Sequence, residues 1–347
     1  MSAPYDLYLI CALTAMAVSY ALTPLVRALS MRWQLLDAPT SAIKTHKTPT
    51  PSMGGLAMAA GFFVSLLVIR LFTHFPTGTL HDLRGIFAGG ITILLLGFID
   101  DFRKPHGLGV KTKFLIQTAA ALLLIAYGMK IRFIQPDYLA LLLSAVWIVG
   151  VCNAMNIIDI MDGFAASQAA VAALCFLLIA LPSEAVYVNF AAAALLGAAL
   201  GFLPHNLGSK RKIFMGDSGS LFLGFMLAAL STGTSYDAKH SLGVLAPLLI
   251  LAVPIYDTFF VAIIRMSRGC SPFMGSKDHY ALRLEKLGLS RHAVVGWSAA
   301  AALLLGVCAW QAVRLDFLQA LSIYIAVGLM LLAFSLYIAR LRMHDDY

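Results

Sequence analysis

Charged residues are scarce in this chain, and acidic residues are scarcer than basic ones. Only 12% of the 347 residues are Asp, Glu, Lys or Arg, with 17 acids against 25 bases, whereas 60% are hydrophobic. Soluble globular domains carry about 25% charged residues, so this composition excludes an ordinary soluble protein and indicates a membrane protein. No soluble domain is evident, and the longest polar stretches are 29–52 and 266–291.

Cysteine is also sparse, and its spacing excludes two classes of small-domain chemistry. The five cysteines are scattered, mostly within apolar runs, at Cys11, Cys152, Cys175, Cys270 and Cys308. Neither a disulfide framework nor a zinc site has such spacing, so these residues are predicted to be buried small hydrophobic side chains. The sequence also lacks low-complexity segments and evident internal repeats.

Long apolar runs are what the chain has in abundance. Runs of membrane length cover about 5–28, 53–73, 83–100, 111–128, 137–155, 164–181, 186–204, 218–232, 241–265, 292–313 and 317–339. The sequence therefore predicts an all-α, polytopic integral membrane protein with about 11 transmembrane helices. We expect one membrane-embedded domain over residues 1–347.

The basic residues predict the orientation of these spans. If the N-terminus is outside and the spans alternate, 19 of the 25 Lys and Arg fall in inner segments, and the positive-inside rule then places the C-terminus in the cytoplasm. The net charge of +8 belongs to this face, where it can attract anionic lipids or substrates; it gives no indication of nucleic-acid binding. The cytoplasmic loops are predicted to form an active site, at about 29–52, 101–112, 156–163, 205–217 and 266–291.

Acidic residues gather at the predicted cytoplasmic ends of the spans. A carboxylate costs about 2.5–3.5 kcal/mol at the centre of a membrane helix and less near the interface, so a cation or a water-filled cavity should compensate for it. Mg²⁺ takes carboxylate, amide and phosphate oxygens, and one or two protein ligands suffice. Acids among surplus cations therefore predict a site for a divalent metal and a polyphosphate. The acids are Asp100, Asp101, Asp159, Asp162, Asp217 and Asp257.

Purely structural interpretations of these acids stay open at the level of the sequence. Asp100 and Asp101 could end a helix and pair with a following base such as Lys104. Asp217, in "MGDSGS", could cap the next helix, and Asp257, in "PIYDTFF", could hydrogen-bond a neighbouring helix.

Amides and acids recur every three residues in "NAMNIIDIMDG", at Asn153, Asn156, Asp159 and Asp162. On an α-helix such a row drifts by about 60° per step, so its ends share one face only if the helix breaks. Gly163 is the predicted breaker. Four polar side chains after an apolar span are hard to explain by packing.

Several segments together resemble a known superfamily. "HKTPTPSMGGLA", "GFIDDFRK", "NAMNIIDIMDG", "FLPHN", "KIFMGDSGSLFLGF" and "PIYDT" occur in this order, as in the polyprenyl-phosphate N-acetylhexosamine-1-phosphate transferases. The translocase that makes the first lipid intermediate of peptidoglycan belongs to the same superfamily. The resemblance spans residues 44 to about 290, and an eleven-span layout with the N-terminus outside is similar to the hexosamine branch.

The resemblance implies an activity and a location. A polyprenyl phosphate, such as undecaprenyl phosphate, would attack the β-phosphorus of a UDP-N-acetylated sugar and release UMP. This would be the initiating step of a cell-envelope glycan in the bacterial inner membrane. The default donor is UDP-GlcNAc, the implied cofactor is Mg²⁺ or Mn²⁺, and a homodimer is compatible with the sequence.

The resemblance also implies roles for individual residues. Asp217 and Asn156 match the metal ligands, Asp100 and Asp101 match the catalytic pair, and Lys47 and Lys113 would hold phosphates. Asp162 would lie near the nucleotide. The further substrate-binding candidates are Asn153, Asp159, His279 and Arg283.

The sequence departs from the superfamily in two places. Ile160 replaces a glycine that relatives have in the "DIMDG" segment. In the last cytoplasmic loop, which relatives associate with the sugar and the diphosphate, only His279 and Arg283 keep their places in a His-x-His-His-Arg pattern. The loop itself predicts an amphipathic interfacial helix, on which a lone histidine is more often structural. Donor identity therefore stays open.

An ion-coupled transporter is the main alternative from another functional class, because it also places acids in membrane spans. Transporters more often put such groups at the midplane of broken helices and contain inverted repeats. An intramembrane aspartyl protease is disfavoured because its Tyr-Asp motif precedes its Gly-Asp motif, whereas here "GD" precedes "YD". A CDP-alcohol phosphotransferase would need further acids after Gly163.

Overall fold

The computed structural model of the chain describes residues 5–39, 48–73, 78–104, 106–181, 186–208, 211–234, 236, 240–273, 275–341 and 343. These residues are overwhelmingly helical, which confirms the predicted all-α class. The helices are α1 (Tyr5–Arg32), α2 (Gly55–Phe72), α3 (Thr79–Phe102), α4 (Val110–Ala126), α5 (Asp137–Ile157), α6 (Phe164–Ala180), α7 (Val186–Leu207), α8 (Gly216–Gly233), α9 (Ala246–Ile250), α10 (Ala252–Ser267), α11 (Tyr280–Lys286), α12 (Arg291–Ala312) and α13 (Phe317–Ala339). A 3₁₀ turn (Ser241–Leu245) precedes α9, and β1 (Leu36–Asp37) pairs antiparallel with β2 (Thr50–Pro51).

Each apolar run predicted as a span contains helix, but one run is broken. Seven of the described helices are long and apolar enough to cross a membrane, and an eighth crossing is added if the bent pair Ser241–Ile250 and Ala252–Ser267 counts as one. This pair bends by 72°, so the run predicted as a span over about 241–265 is not one straight helix. Pro254 supplies the physical reason, because it has no N–H to donate to the carbonyl of Ile250. A multi-pass membrane protein is confirmed.

The chain folds as two compact units. The first unit, Met1–Ala38 with Thr48–Ser235, holds α1 to α8 and the β1–β2 pair, and the second, Pro39–Lys47 with Tyr236–Tyr347, holds α9 to α13. In the second unit α12 packs against α9, α10, α11 and α13. Helix α13 buries only Ala320 and Ile338, so most of its surface is left for lipid. The single domain expected over 1–347 stays a prediction.

Helix α8 is the centre of the first unit. It packs against α2, α3, α5 and α6, and it is buried throughout except at Asp217 and at its last two residues. A Cβ added at Gly55 of α2 would lie 2.1 Å from Gly219 N, and one added at Gly97 of α3 would lie 2.4 Å from the Cα of Ser218. Small residues therefore let the surrounding helices approach the α8 backbone, as is typical of membrane bundles.

We expect Gly55→Ala to destabilise the protein by about 1–3 kcal/mol, because the new methyl group would overlap the backbone of α8. Gly150→Ala in α5 is the matched control, since a Cβ there meets no atom within 4 Å and alanine favours a helix by up to about 1 kcal/mol over glycine. Thermal unfolding of both purified variants in detergent checks this. A Gly55→Ala variant as stable as Gly150→Ala would contradict the packing argument.

Backbone pairing fixes the point at which α8 begins. Phe214 N donates to Pro51 O at 2.8 Å, and Gly54 N donates to Phe214 O at 2.9 Å. The amide of Asn206, near the end of α7, donates from Nδ2 to Ile213 O at 2.9 Å. The segment before α8 is therefore held between β2 and α7, which presents the first residues of α8 in a defined position.

Candidate active site

Four of the sequence-predicted site residues come together in the first unit. Asp100 and Asp101 are at the end of α3, Lys113 is in the first turn of α4, and Asp217 is the second residue of α8. Lys104, which follows α3, joins them. We call these five residues the acid–lysine cluster. It brings together residues up to 117 positions apart in the chain, all at the ends of apolar segments, as the sequence predicts.

Lys113 links two carboxylates of the cluster. Its Nζ lies 2.6 Å from Asp100 Oδ2 and 2.7 Å from Asp217 Oδ2. The other oxygen of Asp100 accepts a hydrogen bond from Leu108 N at 2.6 Å. Two carboxylates thus meet at the ammonium group of Lys113. A cation that binds here would replace Lys113 as the partner of a carboxylate, and a phosphate would replace a carboxylate as the partner of Lys113.

Asp101 has a different position: it caps α8. Its Oδ1 accepts from Asp217 N at 3.0 Å and its Oδ2 accepts from Ser218 N at 2.9 Å. Gly216 precedes them with φ +72°, and a Cβ there would lie 2.4 Å from Asp101 Oδ2, so glycine is required for both reasons. The helix cap predicted for Asp217 is therefore supplied by Asp101, from α3.

Lys104 is a member of the cluster that the sequence did not single out as a binding residue. Its Nζ lies 2.7 Å from Asp101 Oδ1 and 3.6 Å from Asp217 Oδ1. Burial would lower the pKa of Lys104, but the neighbouring charges of Asp101 and Asp217 outweigh this and raise it. The i,i+3 spacing from Asp101 is the available sequence signal, and it predicts the contact of Lys104 with Asp101 but not the contact with Asp217.

The two predicted amides occupy different surroundings. Asn156 donates from Nδ2 to Ser220 Oγ at 2.8 Å, near the start of α8, and no hydrogen bond of its Oδ1 is described, so its role as a metal ligand stays a prediction. Asn153 donates from Nδ2 to Gln117 Oε1 at 2.8 Å and also to Val149 O. The Asn153 amide is therefore engaged by protein, and its substrate-binding role stays a prediction.

The row of amides and acids does not lie on one continuous helix, because α5 ends at Ile157 and α6 begins at Phe164. The helix is thus interrupted before Gly163, the predicted breaker. Beyond the break, Asp162 forms an ion pair with Lys212 at 2.6 Å. Burial, followed by the negative charge of Asp217, raises the pKa of Asp159 to about 8. Asp159 thus lies within the electrostatic reach of the cluster, although no hydrogen bond of its side chain is described.

The chemistry of these donors fits a divalent cation. Five carboxyl groups (Asp100, Asp101, Asp159, Asp162 and Asp217) lie with three lysines (Lys104, Lys113 and Lys212). With Asp159 protonated at neutral pH, as its pKa of about 8 implies, one negative charge is left in excess. Within the described ranges no group of three His, Cys, Asp or Glu side chains is arranged to hold a metal. Mg²⁺ is commonly bound by one or two carboxylates together with substrate phosphates, and Asp217 with the Asn156 oxygen would meet that requirement.

The second unit holds His279 and Arg283, and Lys47 lies outside the described residues. His279 Nδ1 lies 2.6 Å from Asp257 Oδ2, and Asp257 Oδ1 accepts from Tyr280 N at 3.0 Å. Asp257 thus both orients the ring of His279 and caps α11. This agrees with the interpretation of Asp257 as a residue that hydrogen-bonds a neighbouring helix. The binding roles of Lys47 and His279 stay predictions.

Arg283 is fully buried and is bound by protein on all three nitrogens. Nε donates to Asp278 O at 3.0 Å, Nη2 to Asp278 Oδ1 at 2.9 Å, and Nη1 to the carbonyls of Ile338 and Leu341 at the end of α13. The guanidinium group therefore ties α11 to the end of α13. Each guanidinium nitrogen thus already donates to protein, and the predicted substrate contact of Arg283 stays a prediction.

We expect Arg283→Ala to lower the stability of the protein by about 3 kcal/mol, because it breaks a buried ion pair and removes the donor to the α13 carbonyls, while Arg268 at 3.0 Å still pairs with Asp278. Arg291→Ala is the control, since the Arg291–Glu285 pair at 2.8 Å is partly exposed and should contribute at most about 1 kcal/mol. Thermal unfolding measures both. Unchanged stability of Arg283→Ala together with a raised KM would instead support a binding role.

Comparison with known proteins connects this cluster to one family. The family model for glycosyl transferase family 4 matches residues 83–235, a range that contains all five residues of the acid–lysine cluster. The chain is 34% identical over 279 residues to a probable undecaprenyl-phosphate N-acetylglucosaminyl 1-phosphate transferase of Bacillus subtilis strain 168, covering 78% of this chain and 75% of the relative.

Two further relatives have the same kind of description. The decaprenyl-phosphate N-acetylglucosaminephosphotransferase of Mycobacterium tuberculosis H37Rv is 32% identical over 315 residues, covering 82% of this chain and 77% of that protein. The phospho-N-acetylmuramoyl-pentapeptide-transferase of Chlamydia pneumoniae is 37% identical over 213 residues, covering 53% of this chain and 59% of that protein. The similarity to the Bacillus and Mycobacterium relatives extends over most of this chain and most of each relative.

Proposed function

Because the chain belongs to glycosyl transferase family 4, we propose that it transfers a sugar 1-phosphate from a UDP-N-acetylhexosamine to a polyprenyl phosphate and releases UMP. The acid–lysine cluster carries this proposal. It combines carboxylates that can hold a divalent cation with lysines that can contact phosphate oxygens, at one end of the bundle where lipid and nucleotide can meet.

The reaction needs positioning more than proton removal. An oxygen of the lipid phosphate forms a bond to the β-phosphorus of the donor, and the bond from that phosphorus to the bridging oxygen breaks, so UMP leaves with the electron pair. The second pKa of a phosphate monoester is about 6, so the nucleophile is already largely dianionic at pH 7. Asp100 therefore has no need to act as a strong base, and its contact with Lys113 supports an orienting role.

The lysines and the carboxylates of the cluster would have different roles in the transfer reaction. Lys113 and Lys104 would neutralise charge on the phosphate oxygens, which is the main contribution that a protein makes to phosphoryl transfer. Asp217 and Asn156 would hold Mg²⁺ or Mn²⁺, and this cation would supply further neutralisation of the diphosphate. Asp101 would act through α8, because it fixes the backbone of Asp217.

We expect transfer to depend strictly on a divalent cation. Chelation with EDTA should abolish UMP release, and Mg²⁺ or Mn²⁺ should restore it, because the cluster by itself has excess negative charge that repels a diphosphate. Thermal unfolding in EDTA controls for loss of folded protein. Full activity in the chelator would remove the metal from the proposal.

We further propose that eleven segments cross the membrane, with the N-terminus outside and the C-terminus in the cytoplasm. The distribution of basic residues supports this orientation, which would place the acid–lysine cluster on the cytoplasmic face of a bacterial inner membrane. Nucleotide sugars would then reach it from the cytosol. A homodimer is compatible with the large apolar surface of α13.

Incubation of the purified protein with undecaprenyl phosphate, Mg²⁺ and separate UDP-sugars tests the function. We expect UMP release and a lipid product heavier by one sugar phosphate, with UDP-GlcNAc as the first candidate donor. Because the last loop departs from the family pattern, the panel should include UDP-GalNAc and other N-acetylated donors. The absence of UMP with every donor would overturn the proposal, and cation flux in vesicles would then favour a transporter.

A further inference from the structure

A small cavity in the first unit lies away from the acid–lysine cluster. Thr23, Pro24 and Arg27 of α1, His205 of α7 and Arg211 line it, and its volume is about 130 Å³. Pockets for drug-sized ligands have about 300–1,000 Å³. The cavity is therefore too small for a nucleotide sugar, but it is suited to one compact group such as a phosphate.

The two helices build this cavity through a proline. Pro24 has no N–H, so the carbonyl of Tyr20 loses the donor that a regular helix would provide. His205 Nε2 lies 3.0 Å from Tyr20 O, and the two rings are 4.7 Å apart between centroids. Since a carbonyl oxygen can only accept a hydrogen bond, Nε2 carries the hydrogen and donates this bond. The bond holds the imidazole ring in place as one wall of the cavity.

The cavity carries positive charge that no acidic side chain in the described part of the chain pairs with. Arg27 uses Nε to donate to Lys212 O at 3.3 Å, which leaves its two terminal nitrogens. Among the residues that the structure describes, neither Arg27 nor Arg211 forms an ion pair, whereas the adjacent Lys212 is paired with Asp162 at 2.6 Å. Two guanidinium groups facing one cavity predict an anionic ligand, and guanidinium is well matched to phosphate.

The surroundings indicate that this anion is attached to an apolar body. Helix α1 exposes Tyr20 and Leu25 beside the cavity, and Trp33 is exposed just after the helix ends. Aromatic side chains of this kind mark the level of lipid headgroups. We propose that the cavity binds the phosphate of an anionic glycerophospholipid, whose acyl chains lie along the exposed face of α1. This inference depends on membrane insertion and is independent of the proposed reaction.

Native mass spectrometry of the purified full-length protein tests this site with three lipids: phosphatidylglycerol, phosphatidylcholine and undecaprenyl phosphate. The test variant is Arg27→Gln/Arg211→Gln. The control is Arg32→Gln/Arg340→Gln, which removes the same charge from two exposed positions outside the cavity. We expect the test variant to bind phosphatidylglycerol at least about tenfold more weakly than the unaltered protein, and the control to change by less than about twofold.

Each other outcome would overturn the proposal. Equal binding of phosphatidylglycerol and phosphatidylcholine, or equal losses in test and control variants, would indicate no specific anion site. Displacement of phosphatidylglycerol by inorganic phosphate would indicate a site for the free ion, and preferential loss of undecaprenyl phosphate would assign it to the acceptor lipid. If the Gln variant fails to fold in thermal unfolding, Arg27→Lys/Arg211→Lys keeps the charge but loses the paired nitrogens, and it should still weaken phosphatidylglycerol binding.

Discussion

Replacing Asp217 with asparagine should reduce sugar 1-phosphate transfer by at least about a hundredfold while the protein stays folded. The carboxylate is the only side chain of the cluster that contacts both lysines, at 2.7 Å to Lys113 and 3.6 Å to Lys104. An amide removes the negative charge that a cation would need. Loss of one such preorganised electrostatic group typically costs 10²–10³-fold or about 3–4 kcal/mol in the barrier.

Stability should change little in this variant, since Lys113 keeps Asp100 at 2.6 Å and Lys104 keeps Asp101 at 2.7 Å. Asp137→Asn is the matched control: it also removes a carboxylate that pairs with a lysine, at 2.5 Å to Lys130, but in an exposed position. Radiolabelled transfer and thermal unfolding measure both properties. Transfer by Asp217→Asn at the rate of the Asp137→Asn control would exclude Asp217 from the site.

Replacing Asp101 with asparagine should reduce both activity and stability. Its two carboxylate oxygens accept the first N–H groups of α8, and Oδ1 also pairs with Lys104. An amide offers one acceptor oxygen and places an NH₂ group against a donor. The loss of the cap costs about 1–2 kcal/mol, and the broken buried ion pair adds to this, so we expect a total loss of about 2–4 kcal/mol.

Comparison with Asp100→Asn separates positioning from direct chemistry. Asp100 accepts from Leu108 N and pairs with Lys113, but it does not cap α8. We expect Asp100→Asn to lose activity with a smaller loss of stability, whereas Asp101→Asn loses both because the Asp217 backbone shifts. Activity should be measured well below both unfolding temperatures. If Asp101→Asn is no less stable than Asp100→Asn, the capping role is wrong.

The meeting of the acids could be predicted from the sequence, but the role of each acid could not. The acids at the ends of apolar runs were recognised from the cost of a carboxylate near hydrocarbon, and Asp100, Asp101 and Asp217 do meet. Their separate roles were not accessible, because Asp101 caps a helix that begins 115 residues later. Local spacing contains no signal for a contact between α3 and α8.

Arg283 is a second residue whose contacts with a distant helix could not be predicted from local sequence. Its place in the family pattern predicts a substrate contact, which stays a prediction, whereas its contacts with the backbone and side chain of Asp278 and with carbonyls at the end of α13 have no signal in the sequence. The bend between α9 and α10 was also missed. Hydropathy is a property of composition along the chain. It therefore detects an apolar run but cannot show whether a proline in that run bends the helix, or in which direction.

That this protein is a helical membrane protein with a cluster of acids and bases could be predicted from its residues alone, because burial of apolar surface and the cost of buried charge are properties of single residues and short runs. The three-dimensional packing was needed to learn which carboxylate caps α8, which ones converge on Lys113, and which arginines form no ion pair among the described residues. Those outcomes depend on distances between helices far apart in the chain, and such distances are set by how glycines and other small residues let the helices pack.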